Sequence, residues 1–293
     1  MKKLLLIILA TLIILTSCEL TTKQNNSQRN VYLISLALNY ETSNHSLNYT
    51  LNDQEGIFNE IKYLSHDTSS PFNYYLLTED GTKLTINENG NIAEEAISFS
   101  APSNKIKDLV LSKLSTYSAS MDENDILVFH YSGHGIEDGG LVYHIQELDN
   151  NNTGHKHNVL TISNDDLVNA IKGYKGVKLL LLDSCYSGVH YNEIANEYNK
   201  SSIKYLFEAP QLRRNIFTLT ASSSTEEAKE FLGSDYGELS KYFLEALGFN
   251  TSTKMPGRRY SKLWFSELVT YVQKYITSLQ HPQGNEIKDF ILF

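Results

Sequence analysis

Residues 125–131, DILVFHY, and 177–183, VKLLLLD, put apolar side chains on consecutive positions rather than alternate ones. Neighbouring side chains of a strand point to opposite faces, so such a run is stable only where both faces of its sheet are covered. That is the pattern expected of strands covered by helices on both faces. Similar runs occur at 31–38 (VYLISLAL), 73–78 (NYYLLT), 215–221 (NIFTLTA) and 289–293 (DFILF). Helical periodicity fills the gaps. Ile57, Ile61 and Leu64 share a face over 53–65, as do Ile106, Leu109, Val110 and Leu114 over 103–117. SNDDLVNAIKGY opens on Ser163 ahead of two acids, the signature of a capped helix start, and GELSKYFLEALG and 260–279 complete the set. The alternation predicts an α/β fold with a mostly parallel central sheet flanked by helices on both faces, built as one domain over 30–293. In such sheets the reactive groups gather at the carboxyl ends of strands.

Composition narrows the partners. With 293 residues, 41% of them hydrophobic, the chain can bury a full core. Its formal net charge of −9 offers no basic stripe for phosphates, which argues against nucleic acid. The first segment, MKKLLLIILATLIILTSCEL, joins Lys2 and Lys3 to an apolar run and then small residues before Cys18. It reads as a secretory signal over 1–17, too short to span a bilayer comfortably as a permanent helix. LTSC resembles a bacterial lipobox, which implies cleavage before Cys18 and its lipidation with palmitate-type acyl chains. A plain signal peptide with an incidental cysteine is the alternative. Residues 18–29 then read as a polar tether, and the expected location is the bacterial cell envelope, with the domain held to a membrane outside the cytoplasm. Only one other cysteine exists, Cys185, so a lipidated Cys18 leaves no intramolecular disulfide and no multi-cysteine zinc site.

Two of the strand candidates end in unusual chemistry. DILVFHYSGHG runs into Ser132, Gly133, His134 and Gly135, and KLLLLDSCYSG runs into Asp183, Ser184 and Cys185. Taken singly, a cysteine at a strand end is usually a small core residue, and a histidine in a glycine turn is usually structural. As neighbours on one sheet edge, they would form the thiol and imidazole that nucleophilic catalysis needs. On these motifs the chain resembles the caspase-like cysteine peptidases, closest to the metacaspase and orthocaspase branch. The spacing of the histidine and cysteine is a known mark of caspases. The resemblance extends to VYLISLALNYETSNHSLNYTLNDQEGIFNEIKYL, with its Asn52–Asp53 pair, and to NIFTLTASSSTEEAKEF followed by YGELSKYFLEAL.

The resemblance implies a cysteine endopeptidase acting on proteins or peptides. Cys185 would be the nucleophile, His134 the general acid and base, and the amides of Gly135 and Cys185 the oxyanion hole. It further implies a substrate pocket of Asp183, Ser132 and Asp53 that takes Arg or Lys before the scissile bond. The plainer readings are a strand-end turn capped by Asp183 and a helix capped by Asp53. No cofactor is required on this reading. A regulatory calcium site is implied at Asp149, Asp165 and Asp166, although the last two also suit the first turn of a helix with no metal. The polar segment 189–214, with Lys200, Lys204, Arg213 and Arg214, is an expected self-cleavage loop. The alternatives are a catalytically silent caspase-fold binding or signalling lipoprotein, and an amidase or transpeptidase using the same thiol.

Overall fold

The structure, a computed structural model, describes residues 29–41, 43, 45–79, 87–88, 91–92, 99–101, 103–148, 156–172, 175–185, 215–223, 228, 235–276, 280–284 and 290–293. Cys18, Asp149, the signal segment 1–17 and the loop 189–214 lie outside them. Among the described residues no helix is long and apolar enough to cross a membrane.

The chain opens with β1 (Val31–Ala37), α1 (Thr50–Asp67) and β2 (Phe72–Glu79). Two short strands, β3 (Asn87–Glu88) and β4 (Asn91–Ile92), pair with each other before β5 (Phe99–Ala101). Next come α2 (Ser103–Ser120), β6 (Ile126–Ser132), β7 (Leu141–Leu148), β8 (Lys156–Ile162), α3 (Asn164–Ile171) and β9 (Val177–Asp183). The chain finishes with β10 (Ile216–Thr220), α4 (Glu238–Leu247), α5 (Phe265–Tyr275) and β11 (Gln283–Gly284). The central sheet has seven strands in the order β11-β10-β9-β6-β1-β2-β5, all parallel except β11.

The consecutive apolar residues are explained by two cores. Leu33, Val128, Leu179 and Leu181 pack on one face against Ile57, Phe58 and Ile61 of α1, Phe243 of α4 and Leu268 of α5. Their neighbours Ile34, Phe129, Leu180 and Leu182 pack on the other against Ile106 and Val110 of α2 and Leu167 and Ile171 of α3. Handedness dictates this sorting. From β1 the chain crosses through α1 to β2 on one side, whereas β5 to β6 and β6 to β9 move the opposite way. Right-handed crossovers in opposite directions place their helices on opposite faces. The strand order therefore reverses between β1 and β6, and in open α/β sheets ligands bind at the carboxyl ends of strands beside such a reversal.

Two expectations are corrected. Of DFILF (289–293), the described residues 290–293 form no strand: Ile291 makes one isolated bridge to Trp264, while Phe290 packs against Phe217 and Phe265 and Leu292 is fully buried. Its apolarity serves the core, and the sheet edge it would have occupied is taken by β11. The helix expected over 260–279 begins only at Phe265, because Leu263 pairs its backbone with Leu292 and Phe293. The antiparallel hairpin of β7 and β8 was not foreseen in the sequence.

Candidate active site

The register of β6 and β9 aligns Ser132 with Asp183, the last residue of each strand. The two chains then leave the sheet side by side, His134 two residues beyond one and Cys185 two residues beyond the other. They touch: a Cβ on Gly135 would overlap the carbonyl oxygen of Cys185. The glycine is thus required by close backbone approach. The Gly133 N–H donates to the Asp183 carbonyl at 3.2 Å and continues the ladder one step past the strands.

His134 is half-buried, and its Nε2 lies 2.7 Å from the carbonyl oxygen of His45. A carbonyl only accepts, so Nε2 carries a proton, which leaves Nδ1 of the neutral ring with the lone pair. The same carbonyl stabilises the imidazolium once Nδ1 is protonated. The thiol of Cys185 donates to the Ala228 carbonyl at 3.6 Å. Gly135 bridges Leu141 through its neighbours, since Val142 N–H donates to His134 O and Ile136 N–H to Gly140 O. The N–H of Gly135 itself takes no part in those two bonds.

Below this pair lie three polar residues that the sequence singled out, and they are brought together. Asp53 sits in the first turn of α1 and accepts from Ser132 Oγ at 2.7 Å and from the Gly237 N–H at 2.9 Å. Asp183 accepts from the N–H and Oγ of Ser240 at 2.9 and 2.8 Å. Gly237 and Ser240 belong to the amino end of α4, where unpaired amides and the helix dipole favour negative charge. That end offsets the repulsion of two neighbouring carboxylates. Gly237 is wedged between them, for a Cβ there would lie 2.5 Å from one and 3.0 Å from the other. Asp53 is 1% exposed and Asp183 8%, so Asp183 is the more open of the two. Asp53 does not cap its own helix, and Asp183 caps a distant one, so both plainer readings are replaced by a shared role at α4.

The acids expected to bind calcium behave differently. Asp166 closes a capping box with Ser163 and pairs with Lys107 at 2.6 Å, contacts that hold its pKa below the usual carboxylate range despite partial burial. Asp165 is exposed in the same first turn. With one carboxylate committed to a lysine, this described pair does not fit a calcium donor set.

Several residues of the site carried no sequence signal. Tyr40 and His45 come from the loop after β1, Ala228 from the segment after β10, and Gly237 and Ser240 from α4. Each contributes through a backbone group or a single hydroxyl, which local patterning does not mark.

The family model of the caspase domain matches residues 33–237, from β1 through the turn that enters α4. No curated protein matches the chain significantly. Among solved structures, the crystal structure of protein GSU0716 from Geobacter sulfurreducens is similar at 14% identity, with a TM-score of 0.49, covering 87% of this chain and 92% of that one. The family match spans well over half of the sequence and includes both strand ends that carry the thiol and the imidazole: the chain belongs to the caspase-domain family.

Proposed function

We propose that the protein is a cysteine endopeptidase that cleaves after Arg or Lys and is held to a bacterial membrane by a lipid on Cys18. The observation that carries the reading is the β6–β9 register, which sets His134 and Cys185 side by side above the Asp53–Asp183 pair. In this reading the Cys185 thiol gives its proton to Nδ1 of His134 as the sulfur attacks the scissile carbonyl carbon, and the carbonyl electrons move to oxygen. The N–H groups of Gly135 and Cys185 receive that charge. Collapse expels the amine, which takes a proton from the His134 imidazolium. A water activated by His134 then cleaves the thioester and restores the thiol. A guanidinium or ammonium on the substrate residue before the scissile bond approaches Asp183 from its open side, and Ser132 and the α4 amino end keep the two acids charged.

The test uses fluorogenic peptides ending in Arg, Lys or Asp, with and without calcium, on the protein and on Cys185→Ala. Turnover after Arg or Lys that disappears in the variant is expected. Turnover confined to Asp would keep the peptidase and reject the acidic pocket, and a rate unaffected by Cys185→Ala would reject the nucleophile. For the anchor, incorporation of a labelled fatty acid that is abolished by Cys18→Ser is the expected result.

A further inference from the structure

Tyr40, just beyond β1, has φ +55°, in the left-handed region that non-glycine residues seldom enter. Glu79, the last residue of β2, holds it there. Its two carboxylate oxygens accept the successive N–H groups of Tyr40 at 3.1 Å and Glu41 at 3.0 Å, the concave amide pair that a left-handed residue creates. Strain of this kind persists only where surrounding contacts enforce it.

The turn places the Tyr40 side chain beneath His134. Its ring lies 4.7 Å from the imidazole at 36°, and its Oη accepts the His134 N–H at 3.0 Å while donating to Val142 O at 2.5 Å. Tyr131 of β6 closes the other side, donating its hydroxyl to His134 O at 2.6 Å. The two phenol oxygens lie 3.0 Å apart, and each has a carbonyl for its proton. Gly133 makes the convergence feasible, because a Cβ there would fall 2.6 and 2.7 Å from the two hydroxyls. Burial pushes both phenols well above their ordinary pKa, with the nearby Cys185 charge adding to the effect, so both stay neutral donors.

We infer that Tyr40, locked by Glu79, is a positioning residue that fixes the peptide and ring plane of His134 for proton transfer. The inference rests on the assignment of His134 as the acid and base at Cys185. The contacts thus run from the Glu79 carboxylate at the end of β2, through the Tyr40 backbone after β1, to the backbone N–H of His134 after β6, which the Tyr40 hydroxyl accepts while the Tyr40 ring packs on the imidazole. The carboxylate of Glu79 acts on the site without touching substrate.

The experiment compares Tyr40→Phe and Glu79→Gln with the unaltered full chain, His134→Ala and the control Tyr117→Phe. Tyr117 donates its hydroxyl to Tyr74 O away from the site, so the control loses an equivalent bond elsewhere. Three quantities are read: kcat and KM on an Arg or Lys peptide, the pH profile of iodoacetamide alkylation at the Cys185 peptide, and the thermal midpoint. Tyr40→Phe is expected to lower kcat on the order of 10- to 100-fold with KM within about twofold. It should also move the alkylation profile toward that of His134→Ala. Glu79→Gln, which keeps one acceptor oxygen, should shift both in the same direction by less, and Tyr117→Phe should leave them unchanged. If Tyr40→Phe does not fold, Glu79→Gln carries the comparison. A shift in His134→Ala with none in the Tyr40 and Glu79 variants overturns the inference. Absent turnover in the unaltered chain, with the alkylation shift intact, would instead reject the peptidase reading and leave the positioning role standing.

Discussion

At the scale of single residues, the site is governed by what cannot be added. Gly135→Ala would drive a methyl into the Cys185 carbonyl, and neither backbone can retreat without leaving the sheet edge. The expected loss in kcat is at least about 10²- to 10³-fold, the usual cost of displacing one oxyanion donor, with a lowered thermal midpoint because the two backbones are forced apart. Gly237→Ala acts on the other half of the site by pushing Asp183 and Asp53 off the α4 amino end. Steady-state kinetics should show KM rising for Arg and Lys peptides by more than kcat falls. An equal fall in kcat with KM unchanged would mean that the two acids do not contact the substrate. Beside them His130 is wholly buried, its Nδ1 2.8 Å from Ser35 Oγ and its Nε2 3.4 Å from Ser240 Oγ. Desolvation drops its pKa to about 3, so it is a neutral strut beneath the acids at any working pH.

At the scale of elements, the contact between α1 and the segment after α4 carries a pH-dependent liability. Glu60 of α1 is fully buried, accepts the Gly257 N–H at 3.1 Å through Oε2, and leaves Oε1 without a partner. The neighbouring Arg258 turns away to Asp67, Tyr260 O and Ser261 O. Desolvation raises the Glu60 pKa to about 8 from its usual 4.5. The folded state therefore keeps a proton that the unfolded state has lost, and this group's contribution to stability falls as pH rises from about 4.5 through 8. Glu60→Gln should flatten that decline, so that its thermal midpoint exceeds the parent's above pH 8. Parallel slopes for the two proteins would contradict the assignment.

The elements also show where sequence reasoning reaches. β1, β6 and β9 are legible because burial on both faces writes consecutive apolar residues, and the His134 and Cys185 motifs fall where those runs stop. The terminal DFILF is also apolar, yet its residues 290–293 fill a core and bond the backbone of 263–265 rather than join the central sheet, because hydrophobicity records burial and not which partner a backbone finds. Tyr40 is one of 19 tyrosines, and its left-handed turn depends on Glu79, 39 positions away. Such a contact exists only once β1 and β2 are paired.

At the scale of the whole molecule, the start and finish of the described chain are sewn together. Arg29 Nη1 donates to Ile291 O and Leu292 O at 3.1 and 3.0 Å, and Asn30 is fixed to Asp125 at the amino edge of the sheet. Burial lowers the Arg29 pKa against the opposing pull of Asp125, a cost met by those bonds to charge. Arg29→Ala should reduce stability by about 1–3 kcal/mol in denaturant unfolding, the range for charge-assisted hydrogen bonds, while kcat is unchanged. No loss of stability would mean that the final residues hold by apolar packing alone.

Arg29 stands at the amino ends of the parallel strands, and Cys185 at their carboxyl ends. Strands of seven residues separate the two by about 20 Å. Residues 18–29 can add at most about 40 Å when fully drawn out. With the proposed lipid on Cys18, these lengths set an outer limit: Cys185 would work within roughly 60 Å of the bilayer. Proteins anchored in the same membrane would share that layer, and confinement to a common surface would raise their effective concentration.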